Sequence, residues 1–321
     1  MMNSLPVLLC AFVLVFSAAP VHAQGYPKGP INLVIPYAPG DATDHAARPM
    51  ADELSRLLKV PVLVINRAGA GGALGVESAA KASKDGYTIL ITNNGTLVFR
   101  RILDPATAPF DPERDFVPLG LTTRMPTVLA LRANLPYKSF AELVQFAKAN
   151  PGRVRFGTAG AGTLGDFTVV QVNALTGAGI TPVPFKGASP ALTDLLGGHI
   201  EGVAVALGVV SSHVKSGALK AIAISSRFPE FPDVPTLAEL GHGQNLYGFW
   251  LGFFAPAGVP AEVVNVLVPA IESMARTPGV AARLLPRGLV QEYGSPETLA
   301  KELREDYKAI QAVAKKAGFV K

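Results

Sequence analysis

Short apolar runs rich in Val, Ile and Leu alternate along the chain with longer stretches whose apolar residues recur every three or four positions. "INLVIPY" reads as a strand. After it the spacing of Ala47, Met50, Ala51, Leu54 and Leu58 predicts a helix over 44–58. "PVLVINR", a helix over 74–82 and "YTILITN" follow, which makes β-α-β-α-β. Near-continuous apolar strands of this kind predict a parallel sheet covered on both faces. The passage from "DFVPLGLTTR" to "PTVLALR", with Pro118 and Pro126, reads as an extended crossing into a second unit. There the alternation restarts, with helices over 139–149, 166–175, 190–196 and 209–215 and strands "VRFGTA", "ITPVPF", "GVAVAL" and "KAIAIS". "RFPEFPDVPT", with Pro229, Pro232 and Pro235, reads as the return crossing; the strand "FWLGFFAPAG" and helices over 260–276 and 296–316 complete the chain. The expected fold is therefore two Rossmann-like α/β domains joined by two crossover segments. Domain 1 takes 24–122 and 233–321, domain 2 takes 123–232, and a cleft lies between them.

Composition narrows the function. Hydrophobic residues make up 49% of the 321 and charged residues 17%, ample for packed cores. The net charge of +5 is scattered rather than gathered in a basic block, which argues against a nucleic-acid partner. The apolar run "LPVLLCAFVLVFSAA" and the small-x-small residues Val21-His22-Ala23 predict a secretory signal peptide over 1–23, cut after Ala23, and hence export. The run is short for a membrane span. Cys10, the sole cysteine, falls inside that signal, so the mature chain would have neither disulfides nor thiolate chemistry.

In open α/β sheets, ligands collect beyond the carboxyl ends of strands. Four loops stand there: "PGDATD", "RAGAGGALG", "NNGT" and "GTAGAGTLGD". Glycines and helix-start N–H groups in such loops suit an oxyanion, and the same residues also suit ordinary strand-to-helix turns. In the turn reading Thr43 is the helix cap and Asp44 supports the helix dipole. Gly160-Ala161-Gly162-Thr163-Leu164-Gly165 matches GxGxxG, but no acid follows about 20 residues on, where "PFKGAS" stands, so a dinucleotide site is not expected. HExxH, GxSxG and phosphate-loop motifs are missing, and the scattered histidines (His45 is the nearest to a loop) form no metal set. Asp104, Asp111, Glu113 and Asp115 read as a solvated turn. Arg124 in the crossing suits either a ligand contact or a solvated hinge. No cofactor, metal or catalytic residue is expected.

An ordered set of motifs resembles the periplasmic solute receptors of tripartite tricarboxylate transporters, the Bug-type or TctC-like family. It comprises "YPKGPINLVIPYAPGDATD", "NRAGAGGALG", "KDGYTIL", "PFDPERDFVPLGL", "VRFGTAGAGT", "PVPFKGASPALTDLLGG", "PDVPTLAELG" and "WLGFFAPAGVP". The resemblance implies a periplasmic binding protein of type II that captures a small carboxylate in its cleft for uptake. Membrane transporter subunits are the expected partners of a monomer; the alternative is a secreted sensor delivering its closed state to a signalling partner. It implies ligand contacts at Tyr37, Ala38, Gly40 and Asp44, at Asn94, Gly95 and Thr96, at Gly157, Thr158, Ala159, Gly162 and Thr163, and at Phe185 and Lys186. Three positions depart from the family pattern: Asp41 in place of glycine, Asp166 where His is frequent, and Val205-Ala206-Leu207 where an Asp is common. A carboxylate ligand would be repelled by a facing Asp41 or Asp166, so each must point away, hold a cation, or meet a positive ligand group. An amine-bearing or aromatic acid is favoured over a tricarboxylate.

Overall fold

Residues 25–316 are described by a computed structural model; the expected signal peptide, its cut after Ala23 and Cys10 lie outside the described residues. The first lobe opens with β1 (Ile31–Ile35), α1 (Ala42–Leu58), β2 (Val62–Asn66), α2 (Ala73–Ala80) and β3 (Thr88–Asn93). A π-helical segment over Gly95–Arg100 runs into the short turns α3 (Arg101–Leu103) and α4 (Pro112–Asp115), and β4 (Phe116–Met125) follows. The second lobe holds β5 (Thr127–Arg132), α5 (Phe140–Ala149), β6 (Arg155–Thr158), α6 (Leu164–Thr176), β7 (Thr181–Pro184), α7 (Ala188–Gly197), β8 (Gly202–Ala206), α8 (Leu207–Lys215) and β9 (Leu219–Ile224). The chain then returns to the first lobe with β10 (Phe249–Pro256), α9 (Ala261–Ala275), α10 (Pro278–Leu284), β11 (Val290–Gly294) and α11 (Pro296–Lys316).

The first sheet has the order β11-β4-β10-β3-β1-β2 and the second β7-β6-β8-β5-β9. These are the two α/β units expected, but both sheets are mixed. β1 pairs in parallel with β2 and β3, whereas β10 is antiparallel to both β3 and β4. In the second sheet β6 is parallel to β7 and β8, while β5 runs against β8 and β9. The reason is connectivity. β5 and β10 are the first strands laid down after each passage between lobes, so no crossover helix fixes their direction. The extended crossing read at 116–132 is itself two strands, one in each sheet, with Pro126 alone between them.

α1 shows how the pattern becomes packing. Ala47, Met50, Ala51 and Leu54 are all buried against Ile31, Leu33 and Ile35. Each fully buried large side chain contributes on the order of 2 kcal/mol. Pro49 sits inside α1 and has no N–H for the carbonyl of His45, but Arg287 Nη1 donates to that oxygen at 3.3 Å. The opposite face of the sheet packs Leu90, Phe99, Trp250 and Phe254 against Leu299 and Leu303 of α11. Phe167 of α6, from the second lobe, joins this cluster edge-on to Phe99 with ring centroids 5.1 Å apart. Among the described residues no helix is long and apolar enough to cross a membrane, and no cluster of His, Cys, Asp and Glu could hold a metal.

Candidate functional site

Between the two sheets lies a cavity at the carboxyl ends of β1, β3, β6 and β8. Tyr37, Asp41 and Thr43 wall it from the first lobe with Asn93 and Gly95; Ala159, Thr163, Gly165, Ala188 and Ala204 to Ala206 wall it from the second. Met125 and Phe249, from the two passages between lobes, and Val209 complete the lining. About 480 Å³ between the walls, counting the part open to solvent, is free of protein atoms, so the space suits a small molecule.

Four helices begin at this cavity. α1 contributes Ala42 and Thr43, α6 contributes its cap Thr163 and Gly165, α7 its first residue Ala188, and α8 its cap Ala206 with Val209. The first turn of a helix leaves N–H groups without intrahelical partners and carries the positive end of the dipole. Among the described residues no Lys, Arg or His lines the cavity, so an anion there would be held by backbone N–H groups and hydroxyls.

Both lobes build their leading loop in the same way. Gly40 has φ +83° and Gly162 φ +68°, and the N–H of each donates to an aspartate four residues on, Asp44 at 2.9 Å and Asp166 at 3.0 Å. A side chain would strain that left-handed backbone. Asp44 also accepts Arg48 Nη2 at 2.8 Å and Asn66 Nδ2 at 2.9 Å. Burial pushes its carboxyl upward, but Arg48, the Gly40 N–H and Asn66 outweigh burial and hold it below the usual carboxylate range. Burial raises the Asp166 carboxyl, with the Gly162 N–H pulling the other way. Both acids therefore brace the loops, and neither lines the cavity.

Asp41, not Thr43, caps α1: it has φ −68° and ψ 160°, and its Oδ1 accepts the Thr43 N–H at 2.9 Å. The residue is partly exposed, yet its carboxyl is crowded by protein, and burial pushes it up to about 6 against the Thr43 hydrogen bonds, aided by the charge of Asp44. Tyr37 donates its hydroxyl to Asn93 Oδ1 at 2.9 Å and contacts Thr96 Oγ1, and burial raises its pKa. Asn93 Nδ2 reaches Thr43 Oγ1 at 3.4 Å, so the wall of the first lobe is one connected polar network.

The residues singled out in the sequence divide accordingly. Tyr37, Gly95, Ala159 and Thr163 line the cavity, and Thr96 lies directly behind Tyr37. Ala38 and Gly40 are exposed, with the Ala38 carbonyl accepting the Asp41 N–H. Gly157 is locked in β6, where a Cβ would stand 2.7 Å from Ile200, and the Thr158 hydroxyl turns back toward Gly160. Gly162 spends its N–H on Asp166, Phe185 packs behind Gly157, and Lys186 is exposed away from the lining. Asn94 turns from the cavity and donates to Gly248 O and to Asp306 Oδ2, both at 3.0 Å, because the residue next to an inward-facing Asn93 faces elsewhere. The "RAGAGGALG" loop does not reach the cavity either: Gly71 O accepts Thr96 Oγ1 at 2.9 Å, and Gly72 lets the chain pass close to Thr96. Arg124 pairs with Glu292 and Glu302 at a separate cleft beside the hinge, so it is no cavity contact. Reading the sequence missed the apolar wall of Met125, Ala204, Val209 and Phe249, which carries no signal distinct from core, whereas Val205 and Ala206, noted there as a departure from the family pattern, do line the cavity.

A family model described as "Tripartite tricarboxylate transporter family receptor" matches residues 46–319. Protein BugT of Bordetella pertussis is 32% identical over 303 residues, covering 94% of this chain and 93% of that relative. The solved periplasmic binding protein BugD is 30% identical with a TM-score of 0.85, over 92% of this chain and 99% of its own. MatC from Rhodopseudomonas palustris, solved with bound malate, is also 30% identical, with a TM-score of 0.84 over 90% of this chain and 99% of its own. The lobes, the cleft and these likenesses agree: the chain belongs to the tripartite tricarboxylate transporter receptor family.

Proposed function

We propose that the chain is a periplasmic receptor that encloses one small organic acid between its lobes and presents it to the membrane subunits of a tripartite transporter. The observation that carries this reading is the convergence of the α1, α6, α7 and α8 helix starts on a cavity without a basic side chain. Such a site holds a carboxylate by N–H donors and dipoles and releases it without breaking an ion pair. Malate bound to MatC supports a carboxylate as the ligand class. The family is one of solute-binding receptors rather than enzymes. The strand membership of the two sheets supports a first lobe built from two separate stretches, with β4 extending the first stretch to Met125 and β10 opening the second; Thr236 bridges Ile224, and Val234, Leu237 and Leu246 pack in the second lobe, so the return lies beyond the expected residue 233.

A thermal-shift screen of protein stripped of ligand tests the proposal with mono-, di- and tricarboxylates, amino acids and aromatic acids. A ligand at about 100 times its dissociation constant stabilises the native state by about 2.7 kcal/mol. A rise in melting temperature with one small subclass of carboxylates is expected. A flat response to every carboxylate would remove the basis for the reading.

A further inference from the structure

We propose that Asp41 is the specificity-determining residue of the cavity, the counter-ion of a positively charged group on the ligand. The receptor then takes a carboxylate that also carries an ammonium group in preference to a dicarboxylate. The inference rests on reading this cavity as the ligand site.

Of the lining residues, Asp41 alone carries a charge at neutral pH. Its carboxylate is held by Thr43 alone, the N–H at 2.9 Å, and no Lys, Arg or His pairs with it among the described residues. The neighbouring acids differ in this respect. Asp44 is held by Arg48, Gly40 and Asn66, Asp104 by Arg100, and Asp166 by the Gly162 N–H. The ionisable groups facing Asp41 are Tyr37 and Asp44 from its own loop, and both are engaged elsewhere. β3 presents neutral Asn93, and the second lobe presents Ala159, Thr163, Ala188 and the end of β8, none of which ionises. No cationic side chain in the described walls therefore balances this charge.

A ligand with two carboxylates would bring one of them toward Asp41 in a confined, poorly solvated space, where like charges are costly. A ligand with one carboxylate and one ammonium fits the polarity of the walls. The second lobe offers the α6, α7 and α8 helix starts with no acidic side chain in the lining, and the first lobe offers Asp41. Carboxylate and ammonium would then bridge the lobes.

Calorimetric titration of stripped protein tests this with two matched pairs, β-alanine against succinate and 4-aminobutyrate against glutarate. Within each pair an ammonium replaces one carboxylate. Wild type is expected to bind the ammonium member of at least one pair about tenfold or more tightly than its partner. Asp41→Asn keeps a good helix cap and removes the charge. It is expected to weaken the ammonium member about 30-fold and to tighten the dicarboxylate. Asp41→Gly gives the same reversal should the Asn variant fold poorly. Acidification weakens binding of 4-aminobutyrate to wild type as the Asp41 carboxyl, pushed up to about 6, takes up its proton; the Asn variant shows no such loss. A wild-type preference for the dicarboxylates, or a ratio unchanged by both substitutions, overturns the inference and leaves Asp41 as a cap. So does binding of none of the four by a protein that the screen shows to bind some carboxylate without an ammonium. A screen blank for every carboxylate overturns instead the site reading beneath it.

Discussion

Replacing Gly165 with alanine is expected to lower the melting temperature by roughly 6–12 °C and to weaken ligand binding about tenfold or more. Gly165 stands in the first turn of α6, where the helix crosses β8. A Cβ built there would lie 2.1 Å from the carbonyl oxygen of Ala204 and 3.2 Å from its carbon. The obstacle is backbone, so no side chain can turn aside. β8 is held on both edges, by β5 and by β6, and cannot retreat. α6 must therefore lift away, loosening the buried Leu164, Phe167, Val169 and Val172. Overpacking of this kind costs about 3 kcal/mol. The same movement carries Thr163 and the α6 helix start away from the cavity, so stability and binding fall together. Thermal unfolding and calorimetry of the variant check both. An unchanged melting temperature would mean that α6 does not sit on β8 as described.

Arg100→Met is expected to raise the dissociation constant about tenfold or more, chiefly through faster release. Arg100 ends the π-helical segment of the first lobe and is 6% exposed. Its Nη1 donates at 2.7 Å to the carbonyl of Ala161, in the loop that leads to α6 in the second lobe, while Nη2 pairs with Asp104 at 3.0 Å. Hydrogen bonds from charged groups contribute about 1.5–3 kcal/mol, and this one joins the lobes next to the cavity. Methionine keeps much of the buried stem and removes the link. Stopped-flow fluorescence follows release, because Trp250 is the only tryptophan and donates to Asp306 Oδ2 at 2.8 Å beside the hinge. Release at the wild-type rate would show that Arg100 contributes nothing to holding the lobes together.

The fold was largely legible because its strands are continuous apolar runs and its helices carry a clear stripe, as Met50, Ala51 and Leu54 do in α1. The direction of β10 was not, since an apolar run pairs equally well either way and only the path of the chain decides. β11 and α10, short and partly exposed, gave no pattern to read. At the site, the Gly-x-x-x-Asp spacing of Gly40 with Asp44 and of Gly162 with Asp166 stands openly in both loops, yet its role as a brace needed coordinates. The capping of α1 misled for a related reason. Asp41 and Thr43 are both good caps by type, and the extended backbone of Asp41 settles which one acts. Asn93 and Asn94 are indistinguishable in the sequence, but one residue of register sends the first into the cavity and the second to the hinge.

The most direct test of the site is a crystal structure with the strongest carboxylate from the screen. The expected result is a ligand carboxylate between the lobes, within hydrogen-bonding distance of backbone N–H groups at the α6, α7 or α8 helix start, such as Leu164–Gly165. A ligand seated instead in the hinge-side cleft of Arg124 and Asp306, or outside both, would contradict it.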